Sequence, residues 1–268
     1  MPFWTKFLSF VSSEPAKPPH SPENERVHKL LVEAASCYGN DEFEKAEAAF
    51  VQALQEAPSD SDVALVNYGL DYLHYHWVQS ENYEKAISHF SDFVLRFPGN
   101  ATVLRGRAAA YWYSGRLHEA AEDYNASLLP LPIDPGDLLG RGQVLVEMGR
   151  ANEGMDDLNR CLQLLNEVPN ARSNIWATLE AYARNGLGSA WSALGEFPKS
   201  LEQYELSIAL RPRNAWVFFN RAQTVRKMNR LENALSDFKK ALSLDEPKLP
   251  AYKRRIAEHE IEKLEGLP

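Results

Sequence analysis

The chain has 268 residues, of which 44% are hydrophobic, 25% are charged and 11% are aromatic, and its formal net charge is −8. This composition excludes a mostly disordered chain, and the longest apolar run, residues 108–113, is far shorter than the roughly twenty residues of a membrane-spanning helix. The negative charge argues against nucleic acid as a partner. The two cysteines, Cys37 and Cys161, cannot form a disulfide framework and favour a reducing, cytoplasmic location.

Residues 1–22 are expected to form a flexible, aromatic and proline-rich tail. Apolar residues between positions 3 and 11 fall at helical spacing, and the proline-rich stretch after them is not expected to continue a helix. Residues 3–11 are therefore a candidate membrane-contacting segment. Lys6 is their only cation, so their attraction to anionic lipid is expected to be weak.

From residue 27 to about 248 one pattern recurs along the chain. A small residue is followed four positions later by a large apolar one, as with Ala120 and Tyr124. The spacings between successive small residues are 40, 34, 34, 46 and 34, which indicates a period of 34 with insertions of six and twelve residues. The six small residues are Ala46, Ala86, Ala120, Gly154, Ser200 and Ala234.

Each period is predicted to contain two helices. The small residue lies on the second helix, whose apolar positions at i, i+4 and i+7 form one stripe. A first helix is predicted upstream, with a small residue and then a bulky one three later, as in Ala108 and Tyr111. Gly115, Gly149 and Gly195 are predicted to sit in turns between helices, where glycine tolerates positive φ.

This 34-residue helix–turn–helix unit resembles the tetratricopeptide repeat. The resemblance implies an all-α fold, a right-handed α-solenoid of six such units with a capping helix. We expect the repeats to occupy residues 23–248 and a polar capping helix to span residues 249–268. The expected units lie at about 27–60, 61–100, 101–134, 135–180, 181–214 and 215–248.

No residue pattern predicts catalysis, a cofactor or a metal. Cys37 and Cys161 occupy positions where the repeat expects core. His74 and His76 are two residues apart, which places them on different sides of a helix. The Asp and Glu residues show no recognisable acid–base pair or nucleophile arrangement. We therefore expect a protein that is not an enzyme.

Function is then expected to come from the surface, because stacked helix pairs form an extended concave face. In the repeat family the first helix of each unit lines this groove. Some residues at these positions are expected to pack against neighbours, so that about half are exposed. The expected partner-binding residues are Arg105, Trp112, Tyr113, Gln143, Tyr182, Asn185, Trp216, Phe219, Asn220, Gln223, Arg226, Lys227 and Arg254, and Glu147 and Ser189 also hold groove positions.

Charge is distributed unevenly along the chain. Residues 211–255 contain twelve Lys and Arg but four Asp and Glu, a balance of +8, and the rest of the chain carries −16. The C-terminal end of the groove is therefore expected to attract an acidic segment with one or two apolar anchors.

The function that the sequence favours is a non-enzymatic protein–protein interaction adaptor or scaffold that binds an extended or helical segment of a partner. One alternative is a membrane-surface recruitment factor tethered by residues 3–11. A chaperone-tail-binding co-chaperone is a weaker alternative, since only Asn220 and Arg254 match the carboxylate clamp of that subfamily. Asn185, Ser189 and Pro250 hold its other positions and do not match.

Overall fold

The computed structural model describes residues 22–40, 42–56, 81–130, 132–167, 174–244 and 249–266, and these residues form twelve α-helices and no β-strand. The helices fall into two bodies, Met1–Asn82 and Tyr83–Pro268. The predicted tail, including residues 3–11, and the pair His74 and His76 lie outside the described residues.

In the N-terminal body, helix α1 (Pro22–Gly39) packs against helix α2 (Phe43–Glu56). Both helices bury a stripe of apolar residues at helical spacing, such as Val27 and Leu31 on α1. The guanidinium Nε of Arg26 lies 2.7 Å from Oε2 of Glu56, so the start of α1 is beside the end of α2. The two helices therefore form an antiparallel pair.

The C-terminal body contains ten helices that run alternately up and down. Each helix packs against the next, and helices α4, α6, α8 and α10 also pack against one another along one face, called the inner face below. The ten helices are α3 (Tyr83–Arg96), α4 (Ala101–Tyr113), α5 (Leu117–Ser127), α6 (Pro135–Glu147), α7 (Ala151–Glu167), α8 (Asn174–Ala193), α9 (Phe197–Leu210), α10 (Ala215–Lys227), α11 (Leu231–Leu242) and α12 (Ala251–Glu265).

Three of the inner-face helices begin at a polar N-cap. The side chain of Asn100 accepts a hydrogen bond from the backbone N–H of Val103, and that of Asn214 accepts one from Trp216. Asp134 accepts from the backbone N–H of Gly136, and a proline follows at the first helical position. Because such caps satisfy backbone donors that have no partner within the helix, they fix where α4, α6 and α10 begin.

The predicted turn glycines adopt the backbone conformation expected of them. Gly115, Gly149 and Gly195 have φ of 87°, 80° and 79°, which confirms the prediction. In the turn between α10 and α11 Asn229 takes this role with φ of 59°, since asparagine is one of the few other residues that tolerate this region.

The small residues predicted at helix–helix contacts are buried, as expected. Ala120 and Ala234 have no exposed surface. At Gly154 the contact is tighter still: a Cβ atom there would lie 2.6 Å from the carbonyl oxygen of Gly142 on the facing helix. The helices α6 and α7 therefore approach so closely that their backbones almost touch.

A bidentate ion pair joins the two helices of a repeat at three places. In each case an arginine of the first helix donates through Nε and Nη2 to both carboxylate oxygens of an aspartate sixteen positions later, at 2.6–2.8 Å. Paired hydrogen bonds of this kind fix orientation as well as adding energy. The pairs are Arg107–Asp123, Arg141–Asp157 and Arg221–Asp237.

Candidate functional site: a cavity on the inner face

The inner face and helix α12, with one residue each from α5 and α9, line an open cavity of about 380 Å³. Its volume falls within the range of ligand pockets in proteins. The wall combines aromatic rings, uncharged polar groups and three charged side chains, and is therefore suited to a ligand with both polar and apolar parts. It is formed by Trp112, Leu117, Gln143, Val146, Glu147, Asn185, Gly186, Ser189, Ser192, Ala193, Tyr204, Trp216, Phe219, Asn220, Gln223, Thr224, Lys227, Tyr252, Lys253 and Ile256, and we call it the inner cavity.

The structure brings eight of the thirteen predicted binding residues together around the inner cavity. They come from four different helices, α4, α6, α8 and α10, which are distant in sequence. Their degree of exposure differs, since four are buried, three are half-buried and one, Lys227, is exposed. The eight are Trp112, Gln143, Asn185, Trp216, Phe219, Asn220, Gln223 and Lys227.

Three of the five other predicted residues are cations that bind within the chain. Arg105 lies 2.8 Å from a carboxylate oxygen of Asp134. Arg226 lies 3.0 Å from Glu260 of α12. Arg254 donates a 2.6 Å hydrogen bond to the backbone carbonyl of Leu249. These guanidinium groups therefore hold neighbouring segments of the protein.

The last two predicted residues, Tyr113 and Tyr182, do not line the cavity but contact residues that do. The ring of Tyr113 meets the rings of Trp112 and Trp216 edge-on, with centroids 5.6 and 5.5 Å away. The backbone carbonyl of Tyr182 accepts a 3.2 Å hydrogen bond from Nε2 of Gln143. Each residue thus positions a side chain that lines the cavity.

Aromatic rings form one wall of the inner cavity. Trp112 of α4 and Trp216 of α10 pack with centroids 5.2 Å apart, and Phe219 lies one helical turn further along α10. All three side chains are buried, with 8%, 5% and 1% of their surface exposed. Only a small part of each ring therefore faces the cavity, and most of its surface packs inside the protein.

Two hydrogen-bond donors in this wall have no acceptor among the described residues. They are the buried indole Nε1–H groups of Trp112 and Trp216. A buried donor without an acceptor costs free energy, and such groups are few in folded proteins. Both nitrogen atoms lie below the accessible surface of the cavity, so they belong to the packed interior of this wall.

Uncharged polar side chains form another part of the cavity lining. Asn220 donates a 3.1 Å hydrogen bond from Nδ2 to Oδ1 of Asn185. The hydroxyl groups of Thr224 and Ser192 are 2.8 Å apart. Tyr204 is buried, and burial raises the pKa of its hydroxyl group, so this group stays a neutral hydrogen-bonding partner.

A lysine of the C-terminal helix reaches into the inner cavity. Nζ of Lys253 on α12 lies 2.6 Å from Oε1 of Glu147 on α6. The same ammonium group lies over the rings of Trp216 and Phe219, 4.5 and 5.4 Å from their centroids. Only 5% of the residue is exposed, so the charge is balanced by the carboxylate and by the negative ring faces.

Tyr252, next to Lys253, is part of the same arrangement. Its hydroxyl group lies 3.4 Å from Oε2 of Glu147. Burial, together with the negative charge of Glu147, raises the pKa of Tyr252. The phenol therefore remains protonated and can donate to the carboxylate.

The sequence reasoning placed Glu147 in the groove but did not include Lys253. A signal for Lys253 was present in the sequence, since Lys253 and Ala257 are four residues apart and share one face of α12, and the apolar Leu249 lies four residues before Lys253. Leu249 and Ala257 are buried, and a lysine between two buried positions indicates a buried charge with a partner.

Other kinds of site have less support in the described part of the chain. No group of three or more His, Cys, Asp or Glu side chains is placed to hold a metal ion there. None of the described helices combines the length and the apolar character that crossing a membrane requires.

Family models and solved structures both identify the repeat. Two models described as tetratricopeptide repeat match residues 78–137 and 217–248. Together with the helical pairs and their 34-residue period, these matches support the resemblance to the tetratricopeptide repeat family. The expected all-α repeat fold is thereby confirmed.

Among curated proteins, the chain is similar to human tetratricopeptide repeat protein 13, with 25% identity over 177 residues. The matched region covers 64% of this chain and 19% of that protein, so the chain spans only a small part of this relative. Proteins of this family are typically non-enzymatic adaptors that bind other proteins or peptides.

Two solved structures share the fold. A tetratricopeptide repeat protein from Parabacteroides merdae ATCC 43184 aligns with a TM-score of 0.51 and 17% identity, over 90% of this chain and all of that one. A chain of the APC/C hetero-tetramer Cut9–Hcn1 aligns with a TM-score of 0.64 and 14% identity, over 97% of this chain and 45% of that one. At these identities the likeness extends to the fold alone.

Proposed function

We propose that the protein is a non-enzymatic scaffold that binds an extended or helical segment of another protein at the inner cavity. The observation that carries this proposal is the cavity itself, in which four inner-face helices and α12 assemble aromatic, polar and charged groups. A pocket with an apolar wall and a few placed polar groups is the usual form of a binding site.

The apolar part of the cavity supports a partner with an apolar anchor residue. Ile256 of α12 is 43% exposed and lines the cavity, whose wall also includes Trp216 and Phe219. An exposed isoleucine in a cavity that also has aromatic rings favours contact with a further apolar side chain. Burying a leucine or phenylalanine here would contribute about 1.5–3 kcal/mol.

The charges of the cavity support a partner segment that is acidic. Lys253 and Lys227 bring two positive charges and Glu147 brings one negative charge. Lys227 is exposed at the end of α10 and has no ion pair within the described residues. The expected attraction of acidic segments to this end of the chain therefore rests chiefly on Lys227, since Arg226 pairs with Glu260 and Lys253 pairs with Glu147.

The alternative functions have less support. Residues 3–11, on which membrane recruitment depends, lie outside the described residues. For chaperone-tail binding, the two matching residues already bond within the chain, Asn220 to Asn185 and Arg254 to the carbonyl of Leu249. These bonds favour a structural role for both residues.

Site-specific photo-crosslinking tests the proposed function. A photo-reactive amino acid at Gln223, which lines the inner cavity, should crosslink a partner in cells, whereas the same group at exposed Glu202 on α9 should not. Mass spectrometry of the adduct would identify the bound segment. Equal capture at both positions would show that the inner cavity is not the binding site.

Binding kinetics of the identified segment then test its charge. Lys227→Glu should slow association several-fold at about 50 mM salt and have little effect at about 500 mM, because salt screens the attraction of exposed charges. Lys240→Glu is the matched control, since Lys240 is an exposed lysine of α11 outside the cavity. Equal association rates for the two variants at low salt would contradict an acidic partner.

A further inference from the structure

We propose that Lys253 is the residue that binds an acidic side chain of the partner segment, and that Glu147 occupies this position in the unliganded protein. The inference rests on the proposed function, because it specifies how the inner cavity selects its ligand. The partner's Asp or Glu carboxylate takes the place of the Glu147 carboxylate and leaves Lys253 where it is.

The two members of the ion pair are held very differently. The Lys253 side chain is 7% exposed and its ammonium lies on the faces of Trp216 and Phe219, whereas the Glu147 side chain is 26% exposed. Glu147 can turn toward solvent and be rehydrated, which repays the loss of its ion pair. The buried Lys253 side chain cannot turn toward solvent in this way. Replacing the Glu147 carboxylate therefore costs less free energy than replacing the Lys253 ammonium.

Helix α12, which carries Lys253, is also held outside the cavity. Arg226 of α10 pairs with Glu260, whose side chain is 13% exposed, and Ala257 is buried in the hydrophobic core. These contacts keep the backbone at Lys253 in place when Glu147 leaves. The cation is therefore preorganised, which lowers the cost of binding.

The Lys253 ammonium carries three hydrogen-bond donors, and its acceptor in the cavity is the Glu147 carboxylate. A carboxylate has two oxygens with about four acceptor sites, so one group can serve several of these donors. An acidic side chain matches the site better than an uncharged one for this reason.

The opposite exchange, in which a cation of the partner displaces Lys253 from Glu147, fits these observations poorly. It requires a buried, doubly anchored residue to leave, and it adds a positive charge beside Lys227. The experiment below separates the two exchanges, because they predict opposite effects of the same substitutions.

The probes are two pools of fluorescein-labelled peptides in which Leu or Phe is flanked by fixed Glu residues, or by Lys in the second pool. Binding to the full chain is measured by fluorescence anisotropy at low salt. The variants are Glu147→Gln, which removes the competing charge, and Lys253→Met, which keeps an unbranched side chain on the rings. Glu153→Gln is the matched control, since Glu153 is an exposed partner of Arg150 outside the cavity.

The acidic pool should bind the wild type, bind Glu147→Gln about tenfold more tightly and bind Lys253→Met at least about tenfold more weakly, as expected for one charge-assisted hydrogen bond. Glu153→Gln should match the wild type. If Lys253→Met fails to fold, the affinity of Glu147→Gln for the acidic pool tests the proposal by itself, because this variant keeps Lys253.

Unchanged affinity of Glu147→Gln, or full affinity of Lys253→Met, would overturn the proposal. Binding of the basic pool that strengthens in Lys253→Met would establish the opposite exchange instead. If neither pool binds any variant, the acid-binding role of Lys253 is wrong. The proposed function is then judged separately by crosslinking from Gln223, which requires no particular charge on the partner.

Discussion

The indole rings of Trp112 and Trp216 are in contact, with centroids 5.2 Å apart and planes inclined at 47°. They belong to α4 and α10, which are separated in the chain by five other helices. The contact joins the first and the last helix of the inner face, and both indole rings line the cavity. Tyr113, whose ring meets both indoles, strengthens this contact.

We expect Trp216→Ala to destabilise the C-terminal body by about 3–5 kcal/mol, because it removes a large buried ring from the core. It also removes a ring face from the Lys253 ammonium, so amide hydrogen exchange in α12 should become faster. Urea denaturation and exchange mass spectrometry measure the two effects.

Trp191→Ala is the matched control for that substitution. Trp191 on α8 also lies beneath a lysine, 4.6 Å from Nζ of Lys199, but it is half-buried and outside the cavity. Its loss should cost less and leave exchange in α12 unchanged. Equal effects of the two substitutions on α12 would mean that Lys253 does not depend on the Trp216 ring.

The ion pair of Arg141 and Asp157 should stabilise the protein more than surface pairs do. Its carboxylate is 10% exposed and accepts two hydrogen bonds of 2.6 and 2.7 Å, which raise the pKa of Arg141. Asp157→Ala should cost about 1.5–3 kcal/mol, the range for hydrogen bonds to charged groups. A double-mutant cycle with Arg141→Met in urea denaturation measures the coupling of the two side chains.

Arg150 and Glu153 provide the control pair at the start of α7, the helix that carries Asp157. These side chains are 48% and 58% exposed and also lie at hydrogen-bonding distance. Because solvent screens exposed pairs, Glu153→Ala should cost about 1 kcal/mol or less. If Asp157→Ala and Glu153→Ala lower the free energy of unfolding equally, burial does not strengthen the recurring Arg–Asp pair.

Contacts within one repeat could be predicted from sequence spacing, because each is set by local helix geometry. This is why the buried Ala120 and the positive φ of Gly149 agree with expectation. Contacts between distant helices, such as that of Trp112 with Trp216, depend on the rotation accumulated over several repeats. Spacing carries no information about that rotation, so the burial of both indoles and the position of Lys253 were not foreseen.

Gly154→Ala should destabilise the contact of α6 with α7 by about 1–3 kcal/mol, the usual cost of overpacking. A methyl group there would lie 2.6 Å from the carbonyl oxygen of Gly142 and equally close to Cγ2 of Val146. The backbone oxygen cannot move aside as a flexible side chain can. The higher helix propensity of alanine offsets at most about 1 kcal/mol of this cost.

Thermal and urea denaturation of Gly154→Ala should be compared with Asn152→Ala. Asn152 lies in the first turn of the same helix with its side chain exposed, so its replacement should change stability by about 0.5 kcal/mol or less. A Gly154→Ala protein as stable as wild type would show that the two helices can separate at little cost.

Cys161 should be unreactive in the native protein. It is fully buried in α7, and burial raises the pKa of its thiol to about 12, with a smaller contribution from Asp134. The thiolate is the reactive form, so iodoacetamide at about pH 8 should modify Cys161 only after unfolding. Mass spectrometry of native and urea-treated protein, with half-buried Cys37 as the internal comparison, tests this. Rapid native modification of Cys161 would contradict its burial.

The same thiol should make the stability of the protein depend on pH in the alkaline range. The ordinary thiol pKa of 9.0 applies to the unfolded chain, and the raised value applies to the folded one. Between pH 9 and 12 the folded protein therefore keeps a proton that the unfolded chain releases. Stability contributed by the neutral thiol is full below pH 9 and falls by up to about 1.4 kcal/mol per pH unit above it. Urea denaturation of wild type and Cys161→Ala from about pH 8 to 10.5 should show a steeper decline for the wild type. Parallel curves would mean that Cys161 titrates alike in both states.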